Sequence, residues 1–176
     1  MAQLFVISAP SGTGKTSLIY KILEEELASK TKLGISCTTR KKRENEEEGV
    51  AYFFLTEEEF NKKINEGLFL EFAEVFGNLY GTPKDWVVST ISQGFDVILE
   101  LDVQGAVQVK NAYPDAKTIF IIPPSYEDLK SRLNARDQDS EETITKRLAE
   151  ARQEVHSGKD FDYLITNDDL ILPSRT

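Results

Sequence analysis

An α/β fold is predicted: a three-layer core around a parallel β-sheet, with a small mixed α+β lobe inserted into it and a helical lid near the end. Three observations carry this. Short apolar, β-branched runs recur at 3–8, 96–101, 117–122 and 162–166, with helical patterns between them, as in sheets whose strands are joined by right-handed crossovers. The first run passes directly into the glycine-containing stretch A-P-S-G-T-G-K-T, Ala9 to Thr16, and then into a helix. Between about 35 and 85 the pattern changes to short aromatic-rich strands, which read as an insertion.

Taken in order, "LFVISA" is the first buried strand. In "KTSLIYKILEEELASK" the residues Leu18, Ile19, Ile22, Leu23 and Leu27 share one helical stripe. The insertion holds strands at "AYFFL", "FLEFAEV" and "NLYG". Its helix opens on a capping box, Thr56 with Glu59, and turns Phe60 and Ile64 inward. The acidic runs 46–48 and 57–59 read most simply as solvated faces. Further on, Ser125 with Asp128 and Ser140 with Thr143 mark helix starts. Ile144, Leu148, Ala151 and Val155 form a core-facing stripe, and Gly158 is the expected stop. This divides a single domain into a core (about 1–34, 86–124 and 158–176), a lobe (about 35–85) and a lid (about 125–157).

Composition excludes several classes. A formal charge of −9 disfavours a nucleic-acid or anionic-membrane surface, since both need a positive face. No apolar run approaches membrane-spanning length, and "MAQLFVIS" lacks a basic leader and cleavage site. Cys37 is the only cysteine, so no intramolecular disulfide forms, and a cytoplasmic location is expected. Cys37 reads as a small buried side chain rather than a redox sensor, and His156, the only histidine, receives no catalytic role.

The stretch Ala9-Pro10-Ser11-Gly12-Thr13-Gly14-Lys15-Thr16, followed by Ser17, departs from the phosphate-loop (P-loop) pattern G-x-x-x-x-G-K-[ST] only at Ala9. Such a loop wraps backbone N–H groups around phosphate oxygens at a helix N-terminus. Gly12 and Gly14 permit the backbone angles, Lys15 reaches the β/γ-phosphates, and the Thr16 hydroxyl suits Mg²⁺. In "DVILELD", Glu100 and Asp102 are two apart, which would place both on one face of a strand end, able to support Mg²⁺ through water. A strand finishing in solvent-facing carboxylates is the simpler alternative.

The seven arginines avoid the first 39 residues and gather in two places. Arg40 and Arg43 lie in the insertion; Arg132 and Arg136 stand at i,i+4, with Arg147 beyond a polar loop. A hydrolytic phosphate-loop protein needs only water as acceptor, so the first pair points to a second phosphate, gripped by guanidinium groups. The second cluster could close over the reaction, exclude water and stabilise the transferred phosphoryl.

With "SAPSGTGKTSL", "SCTTRKKR", "GVAYFFL", "FLEFAEVFGNLYGT", "LELDVQGA", "IFIIPPS", the arginine-rich segment and "FDYLITNDD" in order, the chain resembles the guanylate kinases over nearly its whole length. The resemblance implies a P-loop core, a GMP-binding lobe and a mobile lid, and the reaction ATP + GMP ⇌ ADP + GDP with Mg²⁺. It implies that Arg40, Arg43, Tyr52 and Tyr80 hold the GMP phosphate, and that Glu71 accepts from guanine N1–H and the exocyclic amine. Ser36, Thr82 and Asp102 would complete the base pocket. Lys15, Arg43, Arg132, Arg136 and Arg147 would stabilise in-line transfer, and Asn167 would stand on the adenine side. dGMP is an expected second acceptor; no nucleic acid or membrane is an expected partner.

Ala9 stands where glycine is usual, Lys41-Lys42 lack the proline common there, Ala51 replaces a typical aspartate and Asp137 a common glycine. None removes a proposed ligand. The family normally continues through a final helix, whose interior Pro173 would not suit, so weaker packing near Asn167 is expected. Two other readings remain: a phosphopeptide-binding module of the same fold, which typically loses the phosphate loop, and a kinase for another phosphorylated acceptor, which the retained Glu71, Thr82 and Asp102 disfavour.

Overall fold

The computed structural model describes residues 1–10, 12–24, 29–75, 77–134 and 141–168, the last stretch without the side chains at 141–144, 147, 150 and 153. Ser11, Leu27, Arg136, Asp137, Ser140 and Pro173, and the side chains of Thr143, Ile144 and Arg147, therefore lie outside the described residues.

Strand alternation decides the layers. In β1 (Leu4–Ser8), Leu4 and Val6 take one face and Phe5 and Ile7 the other; in β7 (Asp96–Glu100), Val97 and Leu99 oppose Ile98. One set packs with Val87 of α3 (Lys84–Ser92) and with Ala106 and Val109 of α4 (Val103–Ala112). The other packs with Ile19 of α1 (Lys15–Glu24), flanked by Leu18, Ile22 and Leu23. Helix, sheet and helix are the three layers expected, and strands buried on both faces explain the continuous apolar runs. Among the described residues the sheet has five strands in the order β2-β7-β1-β8-β9, with β2 (Thr31–Leu33), β8 (Lys117–Ile122) and β9 (Tyr163–Thr166). Every neighbouring pair is parallel.

The insertion forms a second sheet, β4-β3-β6-β5, from β3 (Cys37–Thr38), β4 (Phe53–Phe54), β5 (Phe69–Val75) and β6 (Asn78–Pro83). Its helix α2 (Glu57–Asn65) opens on the predicted box: Thr56 Oγ1 accepts from Glu59 N at 3.2 Å, and the Glu59 carboxylate accepts from Thr56 N at 2.8 Å. Phe60 stacks on Phe69 with centroids 4.5 Å apart, closing a small core with Cys37. Burial pushes the Cys37 thiol up to about 11, as suits an inert core side chain.

In α5 (Tyr126–Asn134) and α6 (Glu141–Ser157), Leu129 and Leu133 pack on Leu148 and Ala151. The Ser125 hydroxyl caps α5, accepting from Asp128 N at 3.0 Å. One expectation is corrected. Val155 is 39% exposed rather than in the core, and nearby Arg152 lies over the Tyr126 ring, 4.3 Å from its centroid. α6 stops at Gly158 as expected, and a Cβ there would stand 2.5 Å from Phe120 Cδ1. No helix among the described residues is long and apolar enough to cross a membrane.

Candidate active site at the carboxyl end of the parallel sheet

β1 ends at Ser8, the chain turns through 9–14, and α1 begins at Lys15. Gly12 and Gly14 have φ of +87° and +90°, a region that side chains disfavour. Gly12 meets a second constraint, since a Cβ there would lie 2.8 Å from Leu133 Cδ2 of α5. Pro10 O accepts from Thr13 N at 3.2 Å, and Gly14 O accepts the first α1 bond, from Leu18 N, at 3.0 Å. The Ala9 methyl packs against the Ile7, Ile19, Ile98 and Ile121 cluster, so alanine joins the core there.

The loop's polar side chains turn to the end of β7. Lys15 Nζ donates to Leu101 O at 3.2 Å and lies 3.8 Å from Glu100. Burial lowers the Lys15 pKa, opposed by Glu100 and Asp102. Thr16 Oγ1 donates to Glu100 Oε1 at 2.6 Å, and Ser17 is exposed on the first turn of α1. Asp102 corrects the expected shared strand face. β7 stops at Glu100, and Asp102 is the N-cap of α4, its carboxylate accepting from Gly105 N at 2.7 Å. Asp102 is near enough to act electrostatically on both Lys15 and Glu71.

In the lobe, Arg40 Nη2 donates to Glu46 Oε1 at 2.6 Å and Nη1 to Lys41 O at 2.9 Å. Its guanidinium lies 5.4 Å from the Tyr52 ring centroid, and the Tyr52 and Tyr80 rings meet edge-on at 5.9 Å. The bond from Arg40 holds the Glu46 carboxyl below its ordinary range, and Arg43 N donates to the same carboxylate at 2.9 Å. Arg43 itself is exposed. The acidic runs are thus not plain solvated faces. Glu46 organises the arginine turn, Glu48 accepts from Phe54 N at 3.2 Å, and Glu59 caps α2.

Glu71, on β5, is only 7% exposed, and its Oε1 accepts from Thr82 Oγ1 at 2.6 Å. Burial pushes its carboxyl up, Thr82 opposes this, and Asp102 adds to the rise. A Cβ at Gly105 would stand 3.5 Å from Glu71 Oε2, so that oxygen lies over the first turn of α4. Ser36, Tyr52 and Thr82 line a cavity of about 360 Å³ together with Tyr20, Glu100 and Leu101. The wall that receives Lys15 and Thr16 on one side therefore faces the lobe on the other. Crevices outside the carboxyl ends of parallel strands are the usual ligand sites of such sheets. Sequence reasoning missed Tyr20, Glu46 and Gly105; only Gly105, opening a helix beside Asp102, carries a signal that could have found it.

Arg132 sits on the phosphate loop itself. Its Nη1 donates to Thr13 O at 3.3 Å and its Nη2 to Asn167 O at 3.1 Å, while Asn167 Nδ2 donates to Thr13 O at 3.0 Å. The structure thus joins Arg132 and Asn167 at the phosphate loop. The α6 backbone carries Arg147.

A family model described as guanylate kinase matches residues 1–171. The chain is 53% identical to a guanylate kinase of Hahella chejuensis over 96% of its own length and 80% of the relative's. It is 51% identical to one of Vibrio parahaemolyticus, over 95% and 81%. The crystal structure of guanylate kinase from Anaplasma phagocytophilum superposes with a TM-score of 0.66 at 31% identity, covering 96% of this chain and 78% of that one. With the phosphate loop, the lobe and the buried carboxylate in place, the chain belongs to the guanylate kinase family.

Proposed function

We propose that the chain transfers the γ-phosphoryl group of ATP to GMP, and to dGMP, giving ADP and the guanosine diphosphate. The observation that carries this is Glu71: a buried carboxylate, fixed by Thr82, in the lobe that shares the β7 end with the phosphate loop. Guanine offers N1–H and an exocyclic amine to such a carboxylate. Adenine has no donor at N1 and would leave it buried and unpaired. Ser36, Thr82 and Asp102 complete the base pocket in this reading.

Residues 9–17, through the backbone N–H groups that all but Pro10 carry, and Lys15 hold the donor phosphates, with Asn167 on the adenine side. Arg40, Arg43, Tyr52 and Tyr80 hold the acceptor phosphate. Its oxygen, already anionic, bonds to the γ-phosphorus as the bond to the β,γ-bridging oxygen breaks, so no general base is needed and positioning dominates. Arg43, Arg132, Arg136 and Arg147 neutralise the developing charge; for Arg132 this means leaving the Thr13 and Asn167 carbonyls it now binds. The oxygen-only pair Thr16 and Glu100 fits Mg²⁺, a hard cation that takes few protein ligands besides substrate phosphates. Bound there, Mg²⁺ would screen the negative charge of the phosphates. The division of labour is a core at about 1–34, 86–124 and 158–176, an acceptor lobe at about 35–85 and a lid at about 125–157.

The test is a coupled ADP-release assay with GMP, dGMP, AMP, UMP and CMP. GMP and dGMP are expected to exceed AMP by ~100-fold or more in kcat/KM, the scale on which unpaired buried polar groups discriminate. Equal use of AMP contradicts the reading, and no turnover with any nucleotide favours the phosphopeptide-binding module.

A further inference from the structure

Among the described residues β5 is the outer strand of the lobe sheet, so one of its edges has no strand partner there. A single side chain takes that place at the residue after Glu71. Gln108 Oε1 accepts from Phe72 N at 3.2 Å, and Gln108 Nε2 donates to Phe72 O at 3.2 Å. An amide side chain presents one donor and one acceptor, so it can pair with both backbone groups of a residue, as a neighbouring strand would.

Gln108 belongs to α4, whose N-cap is Asp102 and whose first turn carries Gly105. Residues 102, 105 and 108 recur every three positions and so share one face of the helix. β5 lies on that face. Asp102 neighbours Glu71 electrostatically, Gly105 leaves the helix bare beneath Glu71 Oε2, and Gln108 grips the next backbone unit. Thr82 anchors Oε1. Glu71 pairs with Thr82 across β5 and β6, directly after a register shift between Phe69 and Glu71, so Gln108 grips the strand just beyond an irregular stretch.

We propose that Gln108 is a positioning residue for acceptor selection. By clamping Phe72 to the core helix, it sets where Glu71 stands against the guanine edge. It touches no substrate and acts through the β5 backbone. The proposal rests on the reading of Glu71 as the base-recognising group.

The experiment compares GMP with inosine monophosphate, which keeps N1–H but lacks the exocyclic amine, in the full chain with Gln108→Leu, Gln108→Glu and Glu71→Gln. Gln108→Leu is expected to raise KM for GMP by ~10-fold and to shrink the GMP-over-inosine preference by a similar factor, the worth of one or two hydrogen bonds, with KM for ATP within about two-fold. Gln108→Glu keeps the acceptor half of the clamp and should fall between, which also gives a reading if the leucine variant folds poorly. A merely structural residue would change kcat or thermal stability and leave the preference untouched. The proposal is overturned if Gln108→Leu and Gln108→Glu keep the wild-type preference while Glu71→Gln loses it. If Glu71→Gln also keeps it, the reading of Glu71 fails first, and the role of Gln108 with it.

Discussion

Burial penalises a charge on Glu71, and its carboxyl is accordingly pushed up. A protonated Glu71 cannot accept from both guanine donors. KM for GMP should therefore rise as pH falls through that elevated value, while KM for ATP stays flat across the same window. Initial rates against pH check this, and Glu71→Gln should abolish the acid limb. Glu46 invites a second prediction. It fixes Arg40 and the arginine turn together, so Glu46→Ala should raise KM for GMP by ~10-fold, about 1.4 kcal/mol, with ATP unaffected. A parallel rise for ATP in steady-state kinetics would refute it. In the sequence Glu46 is one of three consecutive glutamates, and nothing in that run separates it from its neighbours. Its role arises because the chain folds back six residues onto Arg40. The phosphate-loop residues, by contrast, were legible because their spacing is itself the mechanism.

Among the elements, the strand after α6 is secured by a polar tie. Asp162 accepts from Thr118 N at 2.8 Å and from Lys110 Nζ at 2.9 Å, which holds its pKa at about 2 against 3.8. A depressed carboxyl stabilises the fold fully above 3.8 and loses that contribution as pH falls toward about 2. Solvent screens this largely exposed group, so the contribution is about 1 kcal/mol. Denaturant melts of wild type and Asp162→Asn should differ by that much at pH 7 and converge near pH 2. At the other end of the sheet, Gly12→Ala combines a positive φ with a contact at 2.8 Å, and should cost about 1–3 kcal/mol and weaken ATP binding. An unchanged melting temperature would contradict that. The long strands β1, β7 and β8 were legible from their double-sided burial. β2 and β3 were not, because three and two residues are too few to show a period.

At the scale of the whole molecule, two sheets meet at the end of β7. One face of that junction receives Lys15 and Thr16, and the other opens on the lobe cavity. The order of the motifs along the chain made this architecture readable. The sequence could not tell that β7 stops at Glu100 and that Asp102 caps α4. Nor could it tell that Arg132 rests on Thr13, a contact between residues far apart in the chain. The account's central claim is that donor and acceptor are held by separate groups around one wall, with guanine read by Glu71. Calorimetric titration of wild type and Glu71→Gln with ATP and with GMP tests it most directly. The account predicts that the variant binds ATP with wild-type affinity and GMP ~100-fold more weakly, about 2.7 kcal/mol. Equal weakening of both nucleotides, or GMP affinity left intact, would contradict it.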